Sequence, residues 1–209
     1  MTVTQIVEIS KNRSKVYIDQ ELSFVLYKGE LRLYGVRQGE ALAGEDYQRI
    51  MEEVLPRRAK LRAMNLLKNR EYTTARLREK LREGFYPEQV IDQAMEYVAS
   101  FRYTDDVRYA VDFITCHEKD RSRRRIEQDL AGRGIDRATM EKAWKEWESK
   151  GGEQDEQAMI RRLLEKKRYD PETADYREKQ RIYAFLGRKG FSGEQISKVM
   201  RSFPELDME

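Results

Sequence analysis

The sequence predicts a mainly α-helical protein, a tandem repeat of three-helix units preceded by a small N-terminal antiparallel β segment. Apolar residues recur with helical spacing through most of the 209 residues. One helix–turn–helix pattern recurs three times, which is typical of a repeat architecture. β-Branched and aromatic residues are concentrated at the start of the chain. We expect a β-rich segment at 1–44, a linking helix with repeat 1 at 45–103, repeat 2 at 104–150 and repeat 3 at 151–209.

The β segment is predicted to contain short antiparallel strands at residues 3–9, 15–19 and 22–27. Two or three strands alone are marginally stable, so we expect this sheet to pack on a helix. Asp19-Gln20 is a poor two-residue hairpin turn because neither residue is a glycine that adopts positive φ easily.

The next segments are predicted to be helical, with interruptions. Residues 31–42 indicate a brief helix and a turn, and residues 45–68 a longer helix that Pro56 should break or bend. The Ser-Lys-Gly-Gly-Glu stretch at 149–153 indicates a flexible joint that could act as a hinge. We expect the C-terminal residues 204–209 to be frayed.

The repeat unit is clearest at residues 73–90, which predict a helix, a tight turn and a second helix. Leu77 and Leu81 lie one helical turn apart and therefore face the same side. Gly84 stands where a left-handed C-terminal cap is expected. Phe85 is expected to fill the turn from the core side.

The same pattern recurs twice. Residues 191–196 resemble residues 85–90, and in a weaker central copy Met140 stands where the others have Val90 and Ile196. The first helices of the units align on three residues: Ala63, Ala110 and Ile160. The repeat length is therefore close to 50 residues, which suits a three-helix unit.

Composition narrows the class of protein. Cys116 is the only cysteine, so no internal disulfide is possible and a reducing, cytoplasmic setting is expected. We see neither a signal-peptide pattern nor the roughly 18 apolar residues of a membrane span. The net charge is only +3. Residues 57–82, however, hold ten Lys and Arg against two Glu, and such local excess indicates an anionic partner.

The residues typical of catalysis do not form a site. Cys116 and His117 are adjacent, and adjacent residues on a helix do not face each other, so they are poorly placed as a nucleophile and its base. Zinc-ligand spacing and a Gly-Lys-Ser/Thr phosphate loop are absent from the sequence. We therefore expect Cys116 to be a small core residue and His117 a surface or boundary residue. We expect no catalytic residue, no metal site and no cofactor.

Two further pairs favour structural roles. One of Asp105 and Asp106 is expected to cap a helix that begins near Val107, in preference to binding magnesium. Trp144 and Trp147 are three residues apart on a helix and are expected in the core, in preference to a base-stacking platform.

The predicted functional feature is a basic face on the second helix of each repeat. With Leu77 and Leu81 facing inward, Arg78 and Arg82 form one row on the outer surface. Arg and Lys are also good helix formers, and Glu79 and Glu83 could simply pair with them. The recurrence favours binding, and the predicted contact residues are Arg76, Arg78, Arg82, Arg123, Arg124, Arg125, Arg188 and Lys189.

Several stretches together resemble the RecX family of bacterial recombination regulators. Residues 70–81 resemble the family pattern R-x-x-S/T-x-x-E-L-x-x-K-L, and residues 101–110 resemble G-Y-L-D-D-x-x-Y-A. Residues 125–135 resemble R-I-x-x-x-L-x-x-K-G-I, and residues 4–6 and 16–19 resemble the N-terminal strands of longer members. The chain departs from the family where Phe101-Arg102 replaces a glycine, and where Asp19-Gln20 replaces Asp-Gly.

The resemblance implies an elongated, curved molecule that binds the RecA recombinase within the groove of its filament on single-stranded DNA. The implied outcome is a limit on filament growth, strand exchange and the ATPase and co-protease activities of RecA. We expect a monomer and a non-catalytic role in DNA repair and homologous recombination. An autonomous helix-turn-helix-like nucleic-acid-binding protein is the alternative, and an enzyme is a third, weaker hypothesis.

Overall fold

The structure, a computed structural model, describes residues 1–203. The chain divides into two compact units, Met1–Asp105 and Asp106–Glu209. The first unit combines the predicted β segment with repeat 1, and the second combines repeats 2 and 3. The predicted frayed segment, 204–209, lies outside the described residues.

The predicted β segment is a three-stranded antiparallel sheet in chain order: β1 (Val3–Ser10), β2 (Arg13–Ile18) and β3 (Glu21–Tyr27). Side chains of β2 alternate between buried and half-buried, as one packed face requires. Val16 at its centre pairs with Ile6 on one side and Phe24 on the other. Val16 and Phe24 share a core with Leu55 and Leu77, so the sheet packs on helices as predicted.

The turn between β2 and β3 differs from the expectation. Asp19 and Gln20 do form a two-residue hairpin turn, with φ values of 50° and 73°. Both values are left-handed, which the favoured hairpin turns require. Strand β1 supports the turn. The Thr4 hydroxyl accepts a hydrogen bond from the Gln20 backbone N–H at 3.0 Å, and the Asp19 carboxylate accepts one from the Thr2 backbone N–H at 3.0 Å.

Helix α1 (Lys28–Leu33) is the brief helix that was expected after the strands, although it begins three residues earlier. Beyond it, residues 44–69 are continuously helical: α2 (Gly44–Arg49), a π-helical turn (Ile50–Val54) and α3 (Leu55–Asn69). The helix therefore does not break at Pro56, and its local distortion is the π turn directly before the proline. Pro56 lies in the first turn of α3, directly after the wider π turn, where the backbone hydrogen bond that proline cannot donate is not required.

The three-helix units are confirmed. The helices that follow α3 are α4 (Thr74–Arg82), α5 (Glu88–Ser100), α6 (Asp106–His117), α7 (Arg123–Ala131), α8 (Arg137–Ser149), α9 (Glu156–Lys166), α10 (Tyr176–Arg188) and α11 (Gly193–Arg201). Each of the three repeats has its own hydrophobic core, and the core of the first repeat also includes the sheet. The second helix of each unit buries two residues one turn apart: Leu77 and Leu81, Ile126 and Leu130, Ile182 and Leu186.

The turn after the second helix corrects one prediction. Gly84 is not the left-handed residue; Phe85 is, with φ of 62°. Gly134 and Gly190 occupy the same position in the other units, with φ of 81° and 94°. Phe85 is 36% exposed and does not fill the core. The side chain that does so is one residue later in each unit: Tyr86, Ile135 and Phe191.

This turn also corrects the alignment of the repeats by one residue. Because Phe191 corresponds to Tyr86, Ile196 and Met140 correspond to Ile91 and not to Val90. Val90 and Ile91 are both fully buried, so hydrophobicity alone did not distinguish the two alignments.

The predicted flexible joint at 149–153 is a closed turn inside the second unit. Gly151 donates a backbone hydrogen bond to the Glu148 carbonyl at 3.0 Å, and Gly152 donates one to the Trp147 carbonyl at 3.1 Å. A Cβ on Gly152 would lie 2.3 Å from the Trp147 ring. Close packing therefore explains this glycine, and the expected hinge role is not supported.

Candidate functional site

Helices α4 and α7, which hold most of the predicted contact residues, begin in the same way. The hydroxyl groups of Thr73 and Ser122 each accept a hydrogen bond, at 3.2 Å, from the backbone N–H three residues later. Both caps are buried, so water does not compete for these bonds. They place Arg76 and Arg125 at equivalent positions. In the third repeat, Arg181 occupies this position because it directly precedes the buried Ile182, the counterpart of Leu77 and Ile126.

None of the other predicted cations recurs in all three repeats, although Arg123 corresponds to Lys179 and Lys189 corresponds to Arg133. Arg78 corresponds to Glu127 in the second repeat and to Tyr183 in the third repeat. Arg82 corresponds to Ala131 in the second repeat. The three basic helices therefore share only one cationic position, that of Arg76, Arg125 and Arg181. The predicted basic face is not identical in the three repeats.

The predicted arginines of α4 are paired with carboxylates. Arg76 binds Glu79 at 2.6 Å, Arg78 binds Asp92, and Arg82 binds Glu88. Lys80 on the same helix binds Glu83 at 2.7 Å. Four cations and four carboxylates therefore neutralise one another on this surface.

The pair of Arg82 and Glu88 also changes the protonation behaviour of both groups. The hydrogen bond and charge of Arg82 lower the pKa of Glu88, and the same bond raises the pKa of Arg82. Glu88 therefore stays ionised at neutral pH and keeps the guanidinium of Arg82 occupied.

The second compact unit, which contains repeats 2 and 3, brings four of the predicted residues together. Arg124 and Arg125 on α7 line a cleft with Arg188 and Lys189 at the C-terminal end of α10, and its volume is about 720 Å³. The rest of the lining is Arg121, Gln128, Asp129, Arg133, Phe185, Gly187, Gly190 and Phe191. This cationic cleft is the candidate functional site.

Close backbone packing forms the cleft. The Ser122 backbone N–H donates a hydrogen bond to the Lys189 carbonyl at 3.3 Å. A Cβ on Gly190 would lie 2.3 Å from the Ser122 hydroxyl oxygen and 2.6 Å from the Cβ of Arg125. Gly190 also has a left-handed backbone, so only glycine fits this contact without strain. The contact holds the C-terminal turn of α10 against the start of α7.

The cleft carries a strong positive charge. Its lining contains six cationic side chains and one carboxylate, that of Asp129. Asp129 binds Arg121 at 2.8 Å and Arg125 at 3.1 Å. Among residues 1–203, no carboxylate forms an ion pair with Arg124, Arg188 or Lys189. These three cations can therefore bind an external anion without first losing a protein partner.

Arg123, the remaining predicted residue, is not part of the cleft lining. It binds Glu127 at 3.1 Å and Glu148 at 3.2 Å, and its guanidinium lies 4.4 Å from the Trp144 ring centroid. Its backbone N–H donates a hydrogen bond to Glu156 at 2.8 Å. These contacts link α7 to α8 and α9 within the second compact unit.

Sequence reasoning missed two cations of the cleft. Arg121 and Arg133 flank α7, one before its cap and one after its end, so helical periodicity does not include them. Arg133 donates a hydrogen bond to the Asp129 carbonyl at 2.7 Å and lies 4.4 Å from the Phe113 ring centroid. No local sequence signal marks either residue.

Cys116 and His117, the residues considered for catalysis, lie at the end of α6 and differ in exposure. Cys116 is exposed, so the prediction of a core cysteine is wrong: Ile114 faces the core, and the residue two positions later lies on the other side of the helix. His117 is half-buried beside Phe113, with ring centroids 4.4 Å apart. Within residues 1–203, no three His, Cys, Asp or Glu residues are grouped to hold a metal ion.

The two structural pairs lie near their predicted positions. Trp144 and Trp147 are buried and pack edge to face, with ring centroids 5.4 Å apart, as predicted for core residues. Helix α6 begins at Asp106, so Asp105 directly precedes it. Among the helices of the described residues, none is long and apolar enough to cross a membrane.

Comparison with known proteins identifies matching three-helix domains and related proteins. Two family models match the chain: the first three-helix domain of RecX over residues 59–97, and the third three-helix domain of RecX over residues 153–200. Regulatory protein RecX of Trichlorobacter lovleyi is 31% identical over 143 residues, covering 66% of this chain and 91% of that protein. Regulatory protein RecX of Caldanaerobacter subterraneus subsp. tengcongensis is 29% identical over 204 residues, covering 96% of this chain and 98% of that protein.

Solved structures share the fold. A crystal structure of regulatory protein RecX superposes with a TM-score of 0.60 at 20% identity, covering 96% of this chain and 98% of that one. The structure of RecX from Lactobacillus salivarius gives a TM-score of 0.59 at 22% identity, covering 73% of this chain and 99% of that one.

Fold and site together define a protein of tandem three-helix units with a cationic cleft in its second compact unit. The matching domain models and the relatives identify the family. The chain belongs to the RecX family.

Proposed function

We propose that this protein is a non-catalytic regulator of homologous recombination and DNA repair that binds the RecA filament on single-stranded DNA and limits its growth and activities. Its membership of the RecX family supports this proposal, and its curated relatives are named regulatory proteins. The observation that carries the proposal is the cationic cleft, where three cations have no carboxylate partner within the described residues. We propose that the protein acts in the cytoplasm as a monomer.

The cleft suits a phosphate-rich surface. Guanidinium groups bind phosphate oxygens in a planar, two-point geometry, and lysine adds a compact point charge. Several cations around one concave surface raise the local concentration of an anionic partner and accelerate encounter. The same physics makes binding sensitive to salt, because ions screen or replace these contacts.

The predicted contact residues then contribute unequally. We propose that Arg124, Arg125, Arg188 and Lys189 contact the filament through the cleft. Within residues 1–203, only Arg125 of these four has a carboxylate partner, Asp129. The other four predicted contacts lie outside the cleft lining and are all paired with carboxylates: Arg76, Arg78, Arg82 and Arg123. Exposed ion pairs contribute only about 0–1 kcal/mol, so a phosphate can replace the carboxylate, but these residues add less net charge to binding.

The test compares two triple variants that lose the same charge. The cleft variant is Arg124→Gln/Arg188→Gln/Lys189→Gln. The control is Arg32→Gln/Arg49→Gln/Lys145→Gln, which removes three exposed cations outside the cleft. Circular dichroism should be unchanged in both variants.

The cleft variant should co-sediment much less with preformed RecA filaments and should inhibit the RecA ATPase much more weakly. The control should keep both properties. Full inhibition by the cleft variant would remove the cleft from the interface.

The same experiment with naked single-stranded DNA separates the alternative function. A regulator of the filament should bind the RecA–DNA filament more tightly than the DNA alone. Equal affinity for both would favour an autonomous nucleic-acid-binding protein.

A further inference from the structure

A second cationic pocket lies within the first unit, where the sheet meets the helices. It has a volume of about 330 Å³. Strands β2 and β3 contribute Arg13, Val25 and Tyr27, helices α3 and α4 contribute Arg58, Arg62 and Lys80, and the turn after α4 contributes Glu83, Gly84, Phe85 and Tyr86. The sequence analysis did not predict this pocket, and the proposed function does not use it.

Two of its cations are fixed by the protein. Arg58 donates a hydrogen bond to the Val25 carbonyl at 2.6 Å and binds Glu30 at 2.9 Å, with only 18% of its side chain exposed. Lys80 binds Glu83, the only carboxylate in the lining. These contacts hold two charged groups in the wall of the pocket.

The other two cations are available to a ligand. Arg13 donates one hydrogen bond, to the Gly84 carbonyl at 3.3 Å, and forms no ion pair with any described residue. Arg62 is exposed, and no carboxylate in residues 1–203 pairs with it. The lining therefore has four cations and one carboxylate, and an anion with several oxygens would satisfy the guanidinium groups that remain unpaired.

Aromatic rings border the cations. Tyr27 is 42% exposed and Phe85 is 36% exposed. Phe85 adopts a left-handed backbone, which costs a non-glycine residue roughly 1–2 kcal/mol, and the other units have glycine at this position. The Lys15 ammonium lies 4.0 Å from the Phe85 ring centroid, and the Arg58 guanidinium lies 4.9 Å from that of Tyr27.

The phenol of Tyr86 adds a neutral donor. Burial raises the pKa of Tyr86, and the guanidinium groups of Arg58, Arg13 and Arg62 act in the opposite direction. The phenol is therefore protonated at neutral pH and lies among three guanidinium groups. A phenolic O–H in that place can donate to a phosphate oxygen without adding negative charge.

We propose that this pocket binds a nucleotide, with its phosphate at Arg13, Arg62 and Tyr86 and its base against the exposed ring of Phe85 or Tyr27. Two groups of observations support this ligand class. Unpaired guanidinium groups beside a neutral O–H match a phosphate ester, and exposed rings next to them match a planar base. The volume lies within the range of small-ligand sites. The nucleotide is either free or part of a single strand, and the recognising chemistry is the same for both.

The first test locates binding by photocrosslinking on the full chain. The probes are 5-bromodeoxyuridine monophosphate and a 15-mer oligothymidine that carries 5-bromouracil. After irradiation, mass spectrometry identifies the crosslinked peptides. Crosslinks to Tyr27 or Phe85 with both probes assign a general nucleotide site, and crosslinks with the 15-mer alone assign a strand site. Their absence with both probes overturns the proposal.

The second test uses matched variants. Arg13→Gln/Arg62→Gln should reduce crosslinking at the pocket at least fivefold, whereas the charge-matched control Arg32→Gln/Arg49→Gln should not. An equal reduction in both variants would show a general charge effect and overturn the proposal.

The third test guards against misfolding of the charge variant. Phe85→Gly relieves the left-handed strain and therefore keeps the fold, but it removes the ring. In a background with Arg124, Arg188 and Lys189 changed to Gln, this variant should bind the labelled 15-mer at least about fivefold more weakly by fluorescence anisotropy. Unchanged affinity both here and in the matching Tyr27→Ala variant would overturn the proposed stacking. Since the background lacks the cleft cations, failure here is distinct from failure of the proposed filament binding.

Discussion

Neutralising the three unpaired cations of the cleft should flatten the salt dependence of binding to RecA filaments on single-stranded DNA. In the variant Arg124→Gln/Arg188→Gln/Lys189→Gln, the lost cations are those without a carboxylate partner in the described chain. A cation that is already neutralised by a carboxylate releases fewer counterions on binding, whereas an unpaired one contributes its full charge. The change in salt dependence therefore measures the role of these three residues directly.

The expected magnitude follows from counterion release. Each phosphate contact on a single strand contributes about 0.7 to the slope of log affinity against log salt concentration. Three lost contacts should reduce the slope by about 2. Between about 50 mM and 200 mM salt, the affinity advantage of the unmodified protein over the variant should therefore fall by about 20-fold.

The assay uses fluorescence anisotropy to measure binding to preformed filaments on labelled oligothymidine, at four or more salt concentrations. The control variant Arg32→Gln/Arg49→Gln/Lys145→Gln should give a line nearly parallel to that of the unmodified protein. Parallel lines for the unmodified protein and the cleft variant would refute the reasoning, because they would show that these cations release no counterions on binding.

Three further predictions concern stability. Gly190→Ala should lower the unfolding free energy of the second unit by about 2–4 kcal/mol, since its Cβ would overlap α7 on a left-handed backbone; an unchanged melting temperature by circular dichroism would contradict this. Gln20→Gly and Arg102→Gly should each raise the unfolding free energy by about 0.5–1 kcal/mol in urea denaturation, because their φ values of 73° and 55° strain a side chain, and a loss of stability in both would count against this view. Glu88→Gln should destabilise the protein at neutral pH only. Arg82 lowers the pKa of Glu88, so the stabilisation is present above the ordinary pKa of glutamate and is lost as pH falls through the lowered value. A destabilisation that persists well below that pKa would rule out this ion pair as its cause.

Local patterns predicted most of the fold. The inward pair Leu77 and Leu81 and its two copies mark the second helix of each unit, because helical periodicity depends only on nearby residues. The turn was harder to place. The glycine in this turn, Gly84, is the residue that the sequence predicts to be left-handed. The left-handed residue is Phe85, held in place by the packing of Tyr86 against the core.

The candidate site was predicted in part. Cationic residues on α7 and at the end of α10 were identified from the sequence, and the structure brings Arg124, Arg125, Arg188 and Lys189 together in one cleft. Pairing of the α4 cations with Glu79 and Glu83 is the alternative that the sequence leaves open, and the structure contains both pairs. The pairing of Arg78 and Arg82 with carboxylates of α5 was not predicted. The key partner of Arg78 is Asp92 on α5, and only the packing of α4 against α5 brings that carboxylate within reach.

The sequence by itself determined the class of this protein: helical repeats, a leading sheet, and family motifs spread along the chain. These features depend on the order of neighbouring residues, which the chain states directly. Only the tertiary structure decided which positive charges are available to a partner. Ion pairing depends on distances between helices, and the cleft exists because Gly190 of one repeat packs against Ser122 of another.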